Sequence, residues 1–176
     1  MLASAHSRLD IGCGSSRIIQ SSPEAVGLDL SLPKLRFLRR TNSNRVLATA
    51  FSLPFAAASF DSLIHSNVIE HIEYDPSVFR ELNRVLRPGG LLVIGTPDYG
   101  RFQWRWIERL YRILLPNGYG EDHITHYDRK RLTEELARVG FRIRSYRYIL
   151  GAELILCCVK LKELGDGTDR KRSFGP

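Results

Sequence analysis

The sequence predicts one α/β domain built on a doubly wound, mainly parallel sheet of seven strands with helices on both faces. Short runs rich in valine, isoleucine and leucine alternate with longer amphipathic stretches, as is typical of such sheets. With 176 residues, 43% of them hydrophobic, the chain is long enough for one substantial core and short for two. We expect the domain over residues 1–162 and a disordered basic tail over residues 163–176.

Seven apolar runs of strand length follow one another along the chain. Only residues 149–152 separate the sixth run from the seventh, and this is too few for a crossover helix. These two strands are therefore expected to form an antiparallel hairpin at the sheet edge. The predicted strands are Arg8–Ile11, Ala25–Leu28, Arg45–Ala48, Ser62–His65, Leu91–Gly95, Phe141–Tyr148 and Glu153–Leu161.

Capping residues and helix breakers mark the helices between these strands. Ser31 is the predicted N-cap of the first helix. The second helix runs from Asp75 to a Pro-Gly-Gly stop at residues 88–90, and another runs from Asp128 to Gly140. Together the strands and helices give the alternation that a parallel sheet requires.

A glycine-rich turn follows the first strand, in the stretch RLDIGCGSSR. Gly12 and Gly14 lack a Cβ, so the backbone there can turn tightly and approach a ligand closely. In an open α/β sheet, ligands lie at the carboxyl ends of the strands, near the point where strand order reverses. Asp29 closes the second strand, nineteen residues after Asp10, where an acid can accept hydrogen bonds from ribose hydroxyls.

The turn departs from the fingerprint of dinucleotide-binding proteins. The pattern G-x-G-x-x-G requires a third glycine, and this run has Arg17 at that position. The Asp10 carboxylate would repel a pyrophosphate but attract an ammonium group. The turn therefore favours a ligand that carries an ammonium group, and a nicotinamide oxidoreductase is the weaker alternative.

Four motifs in order resemble the class I S-adenosylmethionine-dependent methyltransferases: LDIGCGSS, VGLDLS, ATAFSLPFAAASFDSLIHSNVIEHI and LNRVLRPGGLLVIGTP. The branch they resemble includes the type 11 methyltransferases and the ubiquinone-biosynthesis O-methyltransferases. The resemblance runs from Arg8 to Val159. It implies S-adenosyl-L-methionine as the cofactor and a Rossmann-like, three-layer α/β/α fold. The implied strand order is 3-2-1-4-5-7-6, with strand 7 antiparallel.

The same resemblance implies which residues contact the cofactor. The residues at the methionine end are Asp10, Gly12, Gly14, Ser66 and Asn67. The acid at the ribose is Asp29, and the residues at the adenine ring are Leu30, Ala50 and Phe51.

Two residues depart from the pattern of the family. Ser16 replaces the usual third glycine, and Thr49 stands where an aspartate often contacts the adenine amino group. A serine is small and its hydroxyl can cap the following helix, so we expect it to be tolerated. We expect Thr49 to weaken adenine binding modestly.

The chemistry of methyl transfer directs attention to histidines. The protein must hold the acceptor at near-attack geometry and, for a hydroxyl or amine acceptor, remove a proton. Imidazole titrates near neutrality and can serve as that base. The resemblance places the histidine after the fourth strand close to the transferring methyl, so His71 is the first candidate. His123 and Tyr127 come next, and a packing role is the alternative for each.

Glu70, His71, His123 and His126 are residue types that can bind a metal ion. Small-RNA 2′-O-methyltransferases, which share the implied fold, use a Glu-x-x-Glu-His run and a distant histidine to bind a divalent ion. The corresponding run is NVIEH, residues 67–71, which lacks one carboxylate. We therefore assign no metal ligands.

The segment RFQWRWIERLYRILLP, residues 101–116, predicts an amphipathic helix that forms a lid beside the acceptor site. Residues 101–147 carry eleven Lys and Arg against six Asp and Glu, which supplies most of the net charge of +7. Three roles are open for the helix: packing on the sheet, covering a lipid-like acceptor at an anionic membrane surface, or binding RNA. A recognisable RNA-binding module is missing, so nucleic acid is not favoured.

Three cysteines without disulfide or metal spacing, and the lack of a signal or transmembrane segment, predict a cytoplasmic protein. Few residues precede the first strand, so we expect the lid helix, the second subunit of a homodimer or nothing to cover the cofactor.

The predicted function is methyl transfer to a small-molecule or lipid-like acceptor, at oxygen rather than nitrogen. The alternatives are an RNA methyltransferase and a catalytically silent methyltransferase-like binding protein.

Overall fold

The structure, a computed structural model, describes residues 7–14, 20, 22, 24–39, 44–114 and 123–162. The expectations for Ser16 and for the tail over residues 163–176 lie outside this part of the chain. Within the described residues, every helix is too short or too polar to span a bilayer.

The described elements follow the predicted alternation of strands and helices. The strands are β1 (Arg8–Ile11), β2 (Val26–Asp29), β3 (Arg45–Leu47), β4 (Phe60–Ser66), β5 (Leu86–Pro97), β6 (Phe141–Ile149) and β7 (Glu153–Lys160). The helices are α1 (Leu32–Leu38), α2 (Pro76–Val85), α3 (Phe102–Leu114) and α4 (Arg129–Arg138), with a 3₁₀ turn at Ile69–His71.

The seven strands form one sheet in the order β3-β2-β1-β4-β5-β7-β6. Strands β1 to β5 pair in parallel, whereas β7 runs antiparallel to both β5 and β6. The predicted strand order and the terminal hairpin are therefore confirmed. In the register, Asp10 of β1 lies opposite Gly27 of β2 and Ile64 of β4. This pairing brings the carboxyl ends of three strands to one edge of the sheet.

The hydrophobic core follows from the periodicity of the elements. Helix α2 buries Val78, Phe79, Leu82 and Val85, residues spaced to share one face of a helix. Strand β7 buries alternate residues, as a strand with one covered face does. These residues belong to one large buried cluster, and a smaller cluster forms beside α1.

Two of the three predicted helix caps are made by side chains. The Asp75 carboxylate accepts a hydrogen bond from the Ser77 N–H at 2.7 Å, and Asp128 accepts one from the Arg131 N–H at 2.7 Å. Ser31 occupies the N-cap position of α1, but its side chain makes no capping hydrogen bond. Its N–H donates instead to the Asp29 carboxylate at 2.7 Å.

The junction between α2 and β5 differs from the prediction, because the strand begins at Leu86 rather than at Leu91. Pro88 has no backbone N–H and disfavours helical backbone at the residue before it. The segment is therefore extended, and Leu86 pairs with Phe60 of β4 ahead of a register shift. The other strand starts and ends agree with the prediction to within two residues.

Leu92→Ala tests the position of the core. Leu92 is fully buried in β5 and lies between Leu63 of β4 and Cys158 of β7. The cavity left by the substitution is expected to lower the free energy of unfolding by about 3 kcal/mol, measured by urea denaturation. The control is Leu47→Ala on β3, where the side chain is 54% exposed, with an expected loss below about 1 kcal/mol. Equal losses would contradict this core.

Candidate active site

A cleft of about 660 Å³ opens at the carboxyl ends of β1, β2 and β4. It contains six of the nine residues predicted to contact the cofactor, and His71, the first candidate base, at the same opening. The six are Gly12, Asp29, Leu30, Ala50, Phe51 and Asn67.

The glycine turn is held against the loop that follows β4. Gly12 has a φ of +74°, and a Cβ added there would lie 2.2 Å from Cγ2 of Val68. The N–H groups of Gly12 and Cys13 both donate to the Leu28 carbonyl, at 2.7 and 3.0 Å. Residue 12 must therefore be glycine, because its φ is positive and because Val68 leaves no room for a Cβ.

The Asp29 carboxylate fastens the glycine turn to the start of α1. One of its oxygens accepts from the Gly14 N–H and the other from the Ser31 N–H, each at 2.7 Å. Each carboxylate oxygen has a further lone pair, so the group can still accept hydrogen bonds from ribose hydroxyls. The remaining acceptor sites of Asp29 and the positive φ of Gly12 and Gly14 fit the ribose and methionine parts of S-adenosylmethionine.

The remaining predicted contacts lie beside the lining of the cleft. Asp10 is buried in β1, and Gly14 borders the cleft through its hydrogen bond to Asp29. Ser66 packs against Gly95, where an added Cβ would lie 2.6 Å from the serine Oγ. The neighbouring Asn67 has a φ of +55°, and its N–H donates to the Gly95 carbonyl at 2.9 Å. These contacts fix the end of β4 at the cleft.

The side of the cleft predicted to take adenine is built from a short loop after β3. Leu30 exposes most of its side chain, and Ala50 and Phe51 are half-buried. The Thr49 hydroxyl accepts a hydrogen bond from the Phe51 N–H at 3.3 Å. Thr49 thus braces the loop that carries Phe51, at the position where the family often has an aspartate.

His71 and His123 form a pair at the opposite end of the cleft. Their ring centroids are 4.8 Å apart. The Tyr99 hydroxyl, just beyond β5, hydrogen-bonds to Nδ1 of His123 at 2.8 Å. The N–H groups of Ile124 and Thr125 donate to the Glu70 carbonyl, at 2.7 and 3.1 Å, and join the segment of His123 to the 3₁₀ turn of His71.

Glu70 lies beneath the histidine pair with its carboxyl group buried. Burial raises the pKa of the Glu70 carboxyl, which favours the neutral acid. The ligating atoms of Glu70, His71 and His123 lie within 4.8 Å of one another, so these three residues have the spacing of a metal site. A metal requires deprotonated ligands, so metal binding at this cluster and the raised pKa of the Glu70 carboxyl oppose each other.

His126 and Tyr127 lie outside the pair formed by His71 and His123. His126 is exposed and stacks on Tyr99, with 3.9 Å between ring centroids. Tyr127, a predicted catalytic candidate, is buried in the core and packs edge-on against Phe79. Burial raises the pKa of Tyr127 to about 12, which opposes ionisation of its hydroxyl. The geometry thus gives Tyr127 a packing role.

Three residues that sequence reasoning missed support the site. His65 is fully buried in β4, and its Nδ1 hydrogen-bonds to the Ile11 carbonyl at 3.1 Å, directly before Gly12. Tyr99 positions His123, and Trp104 of α3 stacks over the same imidazole at 5.8 Å. In the sequence, these roles are indicated only by a histidine inside an apolar strand and a tyrosine just after an apolar strand.

The strand order, the glycine turn and the acid that closes β2 define the class I S-adenosylmethionine-dependent methyltransferases. Residues 9–94 match the family model described as a methyltransferase domain, which confirms the resemblance seen in the motifs. The fold is shared with a solved S-adenosylmethionine-dependent methyltransferase of Thermotoga maritima, at a TM-score of 0.74 and 19% identity. That alignment covers 90% of this chain and 84% of the other. The cofactor of this family is S-adenosyl-L-methionine.

Two relatives extend the comparison over most of the chain. An uncharacterized protein of Mycobacterium tuberculosis is 31% identical over 171 residues, which is 97% of this chain and 59% of that protein. A demethylmenaquinone methyltransferase of Renibacterium salmoninarum is 29% identical over 162 residues, which is 82% of this chain and 68% of that enzyme. The chain thus spans little more than half the length of the mycobacterial relative.

Gly12→Ala tests the packing of the glycine turn. The added methyl group would overlap Val68 and take a positive φ, so binding of S-adenosylhomocysteine is expected to weaken by about tenfold or more. Titration calorimetry measures the affinity. Adding Val68→Ala removes the overlap and should recover part of the loss, while the φ cost of about 1 kcal/mol stays. Unchanged affinity in Gly12→Ala would contradict the described turn.

His65→Gln tests the buried histidine through the pH dependence of stability. Burial lowers the pKa of His65 to about 4, from a usual value of 6.5. Between these values the unfolded chain binds more protons than the folded one, so stability falls as pH falls, by up to about 3 kcal/mol. Glutamine does not titrate, so the free energy of unfolding of the variant should depend less on pH over this range. Urea unfolding at neutral and acidic pH measures it; identical slopes would contradict the assignment.

Proposed function

We propose that this chain transfers the methyl group of S-adenosylmethionine to an oxygen atom of a small-molecule or lipid-like acceptor. The observation that carries the proposal is the position of His71. It lines the same cleft as Gly12 and Asp29, and its ring lies against His123 at the end opposite the predicted adenine side.

The surroundings of His71 support an apolar acceptor. Val68, Ile72 and Ile124 line the cleft beside it, and most of the Ile124 side chain is exposed. Such a rim favours a hydrophobic molecule with few polar groups. The relative of Renibacterium salmoninarum, a demethylmenaquinone methyltransferase, is consistent with this choice.

The residues of the chain orient the acceptor and handle its proton in this reaction. When bound, the sulfonium supplies an activated methyl carbon. The protein must therefore orient the acceptor and accept its proton. We assign proton acceptance to His71 and place His123, oriented by the Tyr99 hydroxyl, as the neighbour that helps carry the proton away. The stacked ring of Trp104 shields this pair on the side of α3.

The cysteines support a reducing compartment, which we propose is the cytoplasm. Cys13, Cys157 and Cys158 are all free thiols. Burial raises the pKa of Cys13 and of Cys158 to about 12, which favours the protonated thiols. The glycine turn can therefore carry a cysteine without becoming reactive.

His71→Gly tests the assignment of the base. With demethylated quinols as acceptors and labelled cofactor, kcat is expected to fall by about a hundredfold or more. Binding of S-adenosylhomocysteine should stay within about threefold of the unmodified protein, since residues of β1 and β2 hold that ligand. Added imidazole should restore part of the activity, which a packing role for His71 would not allow.

The matched control is Glu73→Gly, which removes an exposed side chain two residues from His71. Its activity should remain close to that of the unmodified protein. If His71→Gly retains full kcat, or if imidazole restores nothing, the assignment of His71 as base is wrong. If the unmodified protein binds S-adenosylhomocysteine but methylates no hydroxylated acceptor, the choice of oxygen acceptors is wrong.

A further inference from the structure

Helix α3 exposes an apolar stripe on the side away from the histidine pair. A helix advances by about 100° per residue, so Phe102, Trp106, Leu110 and Ile113 fall within an arc of about 80°. Each of these four side chains exposes more than half of its surface. Trp104 lies on the opposite side of the helix, where it stacks on His123. An exposed stripe of this size on a described helix requires an explanation.

The turn of the β6–β7 hairpin extends this stripe. Ile149 and Leu150 are exposed at the turn, Leu150 by 86%. The Arg101 guanidinium donates to the Gly151 carbonyl at 2.9 Å and also lies over the ring of Tyr148, 4.5 Å from its centroid. These contacts hold the turn beside the start of α3. The apolar stripe and the hairpin turn therefore form one surface, called here the docking surface.

Most of the charges next to the docking surface are positive, and the exception is Glu108, which lines the same hollow as Phe102 and Trp106. Arg105 and Arg109 are exposed and follow the edge of the apolar stripe along α3. Arg144 and Arg147 are exposed on β6, the strand that leads to the hairpin turn. Apolar and aromatic side chains bordered by arginines are the pattern of a helix that lies in the interface of an anionic bilayer.

We propose that the docking surface binds anionic membranes and so presents the acceptor side of the cleft to a lipid-like acceptor. The proposal rests on the proposed function only for the identity of the acceptor. Trp104 and Trp106 are two residues apart and face in different directions, one onto His123 and one outward. A bilayer under α3 would therefore lie one helix diameter, about 10 Å, from the proposed site of proton transfer. The arginines attract the lipid phosphates, and the apolar stripe enters the headgroup region.

Vesicle flotation tests the proposal, with phosphatidylcholine vesicles prepared with and without phosphatidylglycerol. The chain should float with the anionic vesicles and less with the neutral ones. Arg105→Gln and Arg109→Gln should each weaken binding by about fivefold. Phe102→Ser and Trp106→Ser should each weaken it by about tenfold or more, because apolar area is lost from the bilayer.

Matched controls come from α1, which carries similar side chains away from the docking surface. Phe37 is 64% exposed and Phe102 is 66% exposed, so Phe37→Ser removes a comparable apolar group. Arg36 is exposed as well, and Arg36→Gln removes a comparable charge. Both control variants should float as the unmodified chain does. Binding lost equally in the controls would overturn the proposal.

The two tryptophans of the chain provide a second measurement. In Trp104→Phe, Trp106 is the only indole, and its emission should shift to the blue when anionic vesicles are added. In Trp106→Phe, the shift should be much smaller. Equal shifts in the two variants would overturn the assignment of the surface.

Three further results would also overturn it. The first is an absence of flotation with anionic vesicles. The second is binding of tRNA but not of vesicles, with a tRNA affinity that falls steeply with salt and is lost in the arginine variants. This result would identify the surface as a nucleic-acid binding site. The third is a chain that does not bind vesicles but sediments as a dimer, and whose dimer is dissociated by Phe102→Ser. This result would identify the surface as a contact with a second copy of the chain. Activity on a water-soluble acceptor should be unchanged in Phe102→Ser, so failure of docking and failure of the proposed function are distinguishable.

Discussion

The packing of Val68 against Gly12 is the contact on which the rest of the site depends. It allows no Cβ at residue 12, because an added one would lie 2.2 Å from the valine methyl group. Val68 directly precedes the 3₁₀ turn that ends at His71, so the same contact sets the distance between the glycine turn and the candidate base. This contact therefore joins the two halves of the cleft.

Two polar side chains hold the glycine turn on its other sides. The His65 imidazole hydrogen-bonds to the carbonyl of Ile11, and the Asp29 carboxylate accepts the N–H of Gly14. A hydrogen bond of this kind contributes about 1 kcal/mol net, so these bonds add little to the total stability. Their larger effect is on geometry, because they bracket a turn of three residues from both ends. A glycine turn would otherwise sample many conformations.

The fold could be predicted from the sequence because its strands are buried, and buried parallel strands appear as apolar runs. The exception was β5, where a helical pattern continues up to Pro88 and hides an extended segment that pairs with β4. Six of the residues named as cofactor contacts line one cleft, as expected of residues that follow the strand ends. On the acceptor side His71 and His123 could be named from the sequence, but the role of Tyr99 could not, since Tyr99 meets His123 only through tertiary structure. Sequence cannot show which face of a loop is buried, so it could not show that Tyr127 packs on Phe79.

Helix α3 joins the chemistry of the cleft to the outer surface of the protein. Methyl transfer asks little of the protein beyond orientation and removal of one proton, so a small cluster of side chains suffices for the reaction itself. For the lipid-like acceptor proposed above, delivery of a sparingly soluble molecule would then be the harder task. A helix that stacks one tryptophan on His123 and exposes another beside arginines would address both tasks within a single turn. The position of the acceptor relative to His71 would then be set by the same element that sets the position of the protein on the membrane.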